Sequence, residues 1–340
     1  MSYHKALHRF ALALAACTFC LVIAGGLVTS TGSSLAVPDW PLSYGMVMPP
    51  MVGGILYEHG HRLIASLVGL LTVVLTIWIW KKEGRRWVKG FGIAALAAVI
   101  AQGLLGGLTV VLLLPTPISV AHAALGQTFF TIITLIALCT SRWWLESETS
   151  AAPVDTGLFR LSIITTCAVY LQLLFGAWMR HSGSGLAVHD FPFAYGQVFP
   201  SLSPENVALY NQQLIDANLR LFADGPVTSA QILIHMIHRI WAVAVLILIA
   251  LFAVRLWRAS GLPARVRRLG VLMAVLVVTQ IALGALTVWS NKDVFITTAH
   301  VACGALILVT SAQILFHLAR CYAVRIRGFS FVYSAERALA

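Results

Sequence analysis

Four histidines, His61, His122, His238 and His300, each stand near the start of an apolar stretch. Each is followed twenty residues later by a cation: Lys81, Arg142, Arg258 and Arg320. If the stretches are helices, twenty residues carry the chain about 30 Å, so all four imidazoles lie at one depth near one face of a bilayer. A single histidine there reads equally as a hydrogen-bonded packing residue. Four at one level suggest a ligand set. Two imidazoles facing each other across a helix bundle can take the two axial positions of an iron porphyrin, whose flat apolar body fills the bundle's centre. Zinc or copper wants three or four converging ligands, and each half of the chain offers two level histidines without matching thiolates or carboxylates.

The neighbours of these histidines sharpen the question. Glu58 precedes His61 by three residues, one helical turn nearer the loop on the same face, and the matching residue before His238 is His235. A carboxylate there can pass protons at a porphyrin edge, or it can simply complement the helix amino terminus. His235 competes with His238 as a ligand, and the register against the first half selects His238. Arg62 and Arg239 follow their histidines directly and suit porphyrin propionates, although arginine at that depth also snorkels to headgroups. Gly103, Gly106 and Gly107, with Gly284 and Ala285, clear bulk where a macrocycle, or merely another helix, approaches. His59, His181 and His189 fall in outer-loop positions with no chemistry assigned. Asp39-Trp40 and Asp190-Phe191 suit either the capping of a porphyrin edge or ordinary turns.

These residues need a membrane framework. Of 340 residues, 59% are hydrophobic and 10% charged, too little polar surface for a water-soluble globule. Apolar runs centred near residues 20, 70, 102, 130, 169, 245, 279 and 309 predict eight transmembrane helices. With the amino terminus inside, all of the 23 Lys and Arg except Arg62, Arg180, Arg220, Arg239 and Lys292 fall on the inner side. Both termini are therefore expected in the cytoplasm and the histidines near the outer face. The net charge of +11 reads as topology and not as a nucleic-acid footprint. Lys5 and Arg9 precede the first run as in a signal peptide, but that run has a counterpart later in the chain, and no Arg- and Ser-rich presequence leads it. A bacterial cytoplasmic membrane is the expected location. The six cysteines lie in or at the inner ends of spans, so no disulfide framework is proposed. Cys17 and Cys20 read as two small apolar residues within a helix.

The chain also repeats itself. Residues 31–45, TGSSLAVPDWPLSYG, align without gaps to residues 182–196, SGSGLAVHDFPFAYG. His61-Arg62 matches His238-Arg239, residues 102–110 match 280–288, and Ala121-His122 matches Ala299-His300. Ordered matches of this kind predict a duplication. Each copy holds an even number of spans, so both share one orientation. The expected fold is an all-α membrane protein of eight transmembrane helices arranged as two tandem, parallel-repeat four-helix bundles. Residues 1–141 form the first bundle, 142–158 a polar inner linker, 159–320 the second bundle and 321–340 a basic inner tail lying along the inner surface. The second bundle carries an extra outer-loop insert at about 201–230, where Ser203-Pro204-Glu205 predicts the start of a short surface helix and Asp224-Gly225-Pro226 its stop.

With eight spans, duplicated halves, histidines on spans two, four, six and eight, and a Glu-x-x-His-Arg motif at Glu58, His61 and Arg62, the chain resembles the haem A synthase family from about residue 9 to 320. The resemblance implies an oxidoreductase that turns a methyl side group of haem O into a formyl group by successive hydroxylations with loss of water, giving haem A for terminal oxidases. It implies that His61 and His122 hold the substrate haem, with Glu58 beside it as catalytic acid or base. His238 and His300 would be the axial ligands of a haem b that relays electrons. Haem O, a haem O synthase, an electron donor and membrane lipid are the implied partners. A homo-oligomer is allowed, and no nucleic acid is expected. Many relatives carry a cysteine pair in outer loops, and the 30–50 loop here has none. Two other classes compete. A non-catalytic dihaem b-type cytochrome exchanging electrons with quinone would share the histidines, and Glu58 is the feature that separates the two. A transporter of parallel repeats would need broken helices or charges at mid-membrane, and neither is evident.

Overall fold

A computed structural model describes residues 3–146, 155–216, 225–322, 325–326 and 329–330. The apolar runs form eight helices long and apolar enough to cross a membrane: α1 (Lys5–Ser30), α2 (Gly53–Lys82), α3 (Arg86–Val111), α4 (Thr116–Cys139), α6 (Thr156–His181), α8 (Ser229–Arg258), α9 (Ala264–Trp289) and α10 (Val294–Cys321). Two short helices, α5 (Arg142–Glu146) and α7 (Pro204–Asp216), lie between them. The protein is thus an all-α membrane protein, apart from a two-residue antiparallel pairing of Arg325–Ile326 with Phe329–Ser330. The expected path of the basic tail lies mostly outside the described residues.

The linker between the halves is shorter than the sequence suggested. Its first five residues are α5, and α6 begins at Thr156, where the Asp155 carboxylate accepts the Leu158 N–H at 2.9 Å. The insert helix starts at Pro204 as expected and is described to Asp216, and the expected stop at Asp224 lies outside the described residues.

The ends of the spans show how local sequence sets chain direction. α1 and α6 both stop at a left-handed glycine, Gly32 (φ 68°) and Gly183 (φ 69°), with Ser33 N–H donating back to Val28 O and Ser184 N–H to Met179 O. Only glycine takes that conformation without strain, so both chains turn sharply out of the bilayer at the same place.

α1, α2, α3 and α4 close a circuit of contacts, as do α6, α8, α9 and α10. The circuits meet where α1 and α4 touch α10 and where α4 touches α6. α4 and α10, each facing both circuits, are the most enclosed spans, while the outward faces of the others are apolar and suited to lipid. Large apolar side chains pack each circuit near one end: Leu14, Leu75, Ile79, Ile133 and Ile136 in the first, and Ile249, Phe252, Leu256, Met273 and Ile314 in the second. The histidines lie toward the other end, where packing is looser. α4 is buried at Phe129 and Phe130 and from Ile133 to Cys139, and partly accessible from His122 to Thr128. Interiors normally pack without such openings, so this end is shaped to hold something.

Candidate functional site

Even-numbered spans start from one end of the molecule, and that end brings the four histidines to one level. Each ring faces a glycine on the adjoining helix. A methyl group built on Gly25 would stand 3.1 Å from His61 Cε1, on Gly106 3.2 Å from His122 Cε1, on Gly176 3.1 Å from His238 Cε1, and on Gly284 3.1 Å from His300 Cε1. Alanine at any of the four would push the imidazole aside. His61 and His122 are near enough to interact electrostatically, and so are His238 and His300.

His300 Nδ1 donates to Gln280 O at 3.2 Å, so its lone pair is on Nε2, where it faces the Gln280 side-chain amide at 3.3 Å. The Gln172 side-chain amide lies 3.1 Å from His238 Nδ1 and 3.3 Å from its Nε2. His122 Nδ1 turns toward Gln102 O and His61 Nδ1 toward Leu21 O without closing a hydrogen bond. Gln102 donates to the His122 carbonyl at 2.8 Å, and Gln172 to the His238 carbonyl at 3.1 Å. Two imidazoles per half, each backed by a glycine, are a donor set that fits the axial positions of a haem. Among the described residues no three His, Cys, Asp or Glu side chains converge as a separate metal cluster, and all six cysteines are free thiols.

Above the histidines sit two loops of one design. In the 31–52 loop, Asp39 accepts the Tyr44 and Gly45 N–H groups at 2.6 and 2.8 Å, and Tyr44 Oη donates to Ala36 O at 2.6 Å. In the 182–203 loop, Asp190 accepts Tyr195 and Gly196 N–H at 2.8 and 3.0 Å, and Tyr195 Oη donates to Ala187 O at 2.6 Å. The Gly45 and Tyr44 N–H groups hold the Asp39 carboxyl below the usual carboxylate range, and burial pushes the Tyr195 phenol up.

Each loop is tied down by an arginine one residue past the histidine. Arg62 donates to Asp39 O and Leu42 O at 2.8 and 2.9 Å, and Arg239 to Asp190 O and Phe193 O at 2.7 and 3.0 Å. Both guanidinium groups are thus engaged with loop carbonyls. The residue one turn before each arginine differs. Glu58 is fully buried, pairs with Arg62 at 2.6 Å and accepts Val37 N–H at 2.8 Å. His235 accepts Arg239 Nε–H on its Nε2 at 2.9 Å and donates from Nδ1 to Ser184 O at 3.0 Å. With both ring nitrogens used, His235 has none left for a metal.

Several residues stand where the sequence did not suggest. His59 is within α2, buried, with Nδ1 2.8 Å from Ser43 Oγ, because the helix starts at Gly53, well before its apolar stretch. His181 ends α6, while His189 lies in the second loop against Tyr195. Trp40 lies on Gly107, where a methyl group would meet its ring at 2.6 Å. Gly25 and Gly176 went unnoticed among apolar neighbours. Their signal was a separation equal to that of the repeated loop motif, 25 to 176 as 31 to 182.

The sequence pattern of the COX15-CtaA family, described as cytochrome oxidase assembly protein, matches residues 51–312. The haem A synthase of Alkalihalophilus pseudofirmus is 32% identical over 228 residues, covering 64% of this chain and 74% of its own. That of Halalkalibacterium halodurans is 27% identical over 326 residues, covering 94% of this chain and 100% of its own. That of Geobacillus kaustophilus is 26% identical over 301 residues, covering 87% and 86%.

Proposed function

The chain belongs to the COX15-CtaA, or haem A synthase, family, and on that footing we propose that it oxidises a methyl side group of haem O to a formyl group, giving haem A for terminal oxidases. The observation that carries this reading is the fourfold pairing of a histidine with a glycine, set in two equivalent circuits, with buried Glu58 in the first standing where buried His235 stands in the second.

In this reading the circuits are two tandem four-helix bundles related as parallel repeats, residues 1–141 and 159–320, joined by the inner linker 142–158 and followed by the tail 321–340. Both termini are cytoplasmic, and the histidines lie near the outer face of a bacterial cytoplasmic membrane. His61 and His122 hold the substrate haem in the first bundle. His238 and His300 hold haem b in the second, where it supplies one-electron transfer.

The chain's own residues do the rest. Gly25 and Gly106 let the first pair of imidazoles stand upright against their helices, which orients the macrocycle. Conversion of the methyl carbon by successive hydroxylations needs proton transfer at the site. Glu58, a buried carboxylate one turn from His61, serves as acid or base by exchanging its bond to Val37 N–H for a proton. Arg62 keeps that carboxylate in place and holds the loop through Asp39 O and Leu42 O. A haem O synthase supplies the substrate, an electron donor completes the cycle, and the eight apolar helices place the protein among membrane lipid, alone or as a homo-oligomer.

The test is the haem inventory of membranes making this protein together with a haem O synthase, resolved by chromatography and mass. Formyl or hydroxymethyl haem is expected. Haem b alone, with haem O unchanged beside a well-folded protein and a competent donor, would favour the dihaem cytochrome. Glu58→His, which imports the second half's anchor, should lower turnover by roughly 10²- to 10⁴-fold while haem b stays bound. Normal turnover in that variant would reduce Glu58 to a loop anchor.

A further inference from the structure

The two loops share backbone, side-chain ties and an arginine anchor, but one has a cover that the other lacks. In the second half, α7 lies on the loop. Tyr210 stacks on Tyr195 with ring centroids 3.9 Å apart and planes 8° apart, and Leu214 is buried beside it. Asn211 fastens α7 to the approach to α8, accepting Val227 N–H at 2.8 Å and donating to Val227 O at 2.9 Å. Tyr195, Ala187, Val188 and Ala194 then form one apolar cluster with Tyr210, Leu214 and Met236.

In the first half the equivalent surface is bare. Tyr44 is 50% exposed where Tyr195 is 9% exposed, and among the described residues no ring stacks on it. The contrast is confined to the tyrosine, since Leu42, Val47 and Met48 and their counterparts Phe193, Val198 and Phe199 are exposed in both loops. The positions matching Ala194 and Met236 are Ser43 and His59, a polar pair 2.8 Å apart. The first loop is therefore held by hydrogen bonds, one ion pair and the packing of Val37 and Trp40, and the second by hydrogen bonds and a larger apolar cluster completed by α7, which water cannot replace.

We propose that α7 is a clamp that retains the haem of the second half, and that the 31–52 loop is the gate through which the first half takes up and releases haem. The inference rests on the assignment of haems to the two halves given above. It explains why similar histidine pairs would serve a resident cofactor on one side and a passing substrate on the other: the difference lies in the covers and not in the ligands.

The experiment is hydrogen exchange on the purified holoprotein in detergent, paired with transfer of haem b to apomyoglobin. The Tyr44 and Gly45 amides should exchange faster than those of Tyr195 and Gly196 by about tenfold, the upper range for the worth of a stacked aromatic pair. Tyr210→Ala should bring the second loop to the rate of the first and speed haem b loss by a similar factor, about tenfold. Leu214→Ala should act in the same direction more weakly, and Tyr210→Phe, which keeps the stack, should change neither rate. Equal protection of the two loops in the unaltered protein would overturn the proposal, as would unchanged haem b loss in both Tyr210→Ala and Leu214→Ala. A second half that carries no haem would instead remove the functional assignment, while the loop comparison, which needs no substrate, would still be read.

Discussion

Trp40 and Phe191 occupy the same place in the two loops and rest on different floors. Beneath Trp40 is Gly107 on α3, so close that a methyl group there would enter the indole. The matching residue on α9 is Ala285, buried, and its loop carries the smaller Phe191, which lies against Trp289 with ring centroids 6.0 Å apart and under the Arg239 guanidinium. Large ring with glycine and smaller ring with alanine are two solutions to one packing constraint. The loops therefore keep one backbone while the surface each presents to its bundle is tuned by compensating pairs. Glu58 with Ser43 and His59 makes the first support polar, and His235 with Ala194 and Met236 makes the second mostly apolar.

The largest effects that would sharpen this contrast come from the histidines. His238→Ala or His300→Ala should strip haem b from the purified protein, whereas His61→Ala or His122→Ala should keep haem b and yield no product. Loss of haem b from either pair alike would erase the difference between the halves. A smaller effect is expected at the loop floor. Gly107→Ala should lower the stability of the protein in detergent by roughly 1–3 kcal/mol through overpacking, and adding Trp40→Phe should restore most of it. If the two substitutions simply added, the ring and the glycine would not be a matched pair. The smallest effect concerns Asp39. Its carboxyl sits below the usual range in the folded loop, so its contribution is complete above the ordinary carboxylate pKa and disappears as pH falls through the lowered value. The Tyr44 and Gly45 amides, corrected for intrinsic rate, should lose protection in that acid window while the span amides keep theirs. Protection that stays flat through the window would mean Asp39 does not hold the loop.

The eight spans and the level of the histidines were legible because a bilayer imposes one length and one polarity on every helix, and because the repeated register picks out four histidines from eleven. Helix starts were less legible. Gly53 to His59 begin with two glycines and end in Glu58 and His59, and so read as loop despite Ile55 and Leu56, yet they belong to α2, since an amphipathic first turn can lie under a loop as well as in lipid. The glycines behind His61 and His238 were hidden for a related reason: in an apolar run a small residue marks close approach without saying what approaches. The engagement of Arg62 and Arg239 with loop carbonyls depends on the path of chain twenty or more residues away, and nothing local encodes it.

α10 touches α1 and α4 as well as its own partners, and its Phe316 and Ala319 complete the apolar core of the first half. A ribosome makes this segment after the other seven spans. Until it is inserted, the first four spans lack part of their packing and the last four lack His300. Biogenesis is thus coupled across the chain, and neither half reaches its final packing before the eighth span enters the bilayer. A product truncated before Val294 would contain two unfinished halves, and quality control would meet it as one defective protein rather than as a sound half with a missing neighbour.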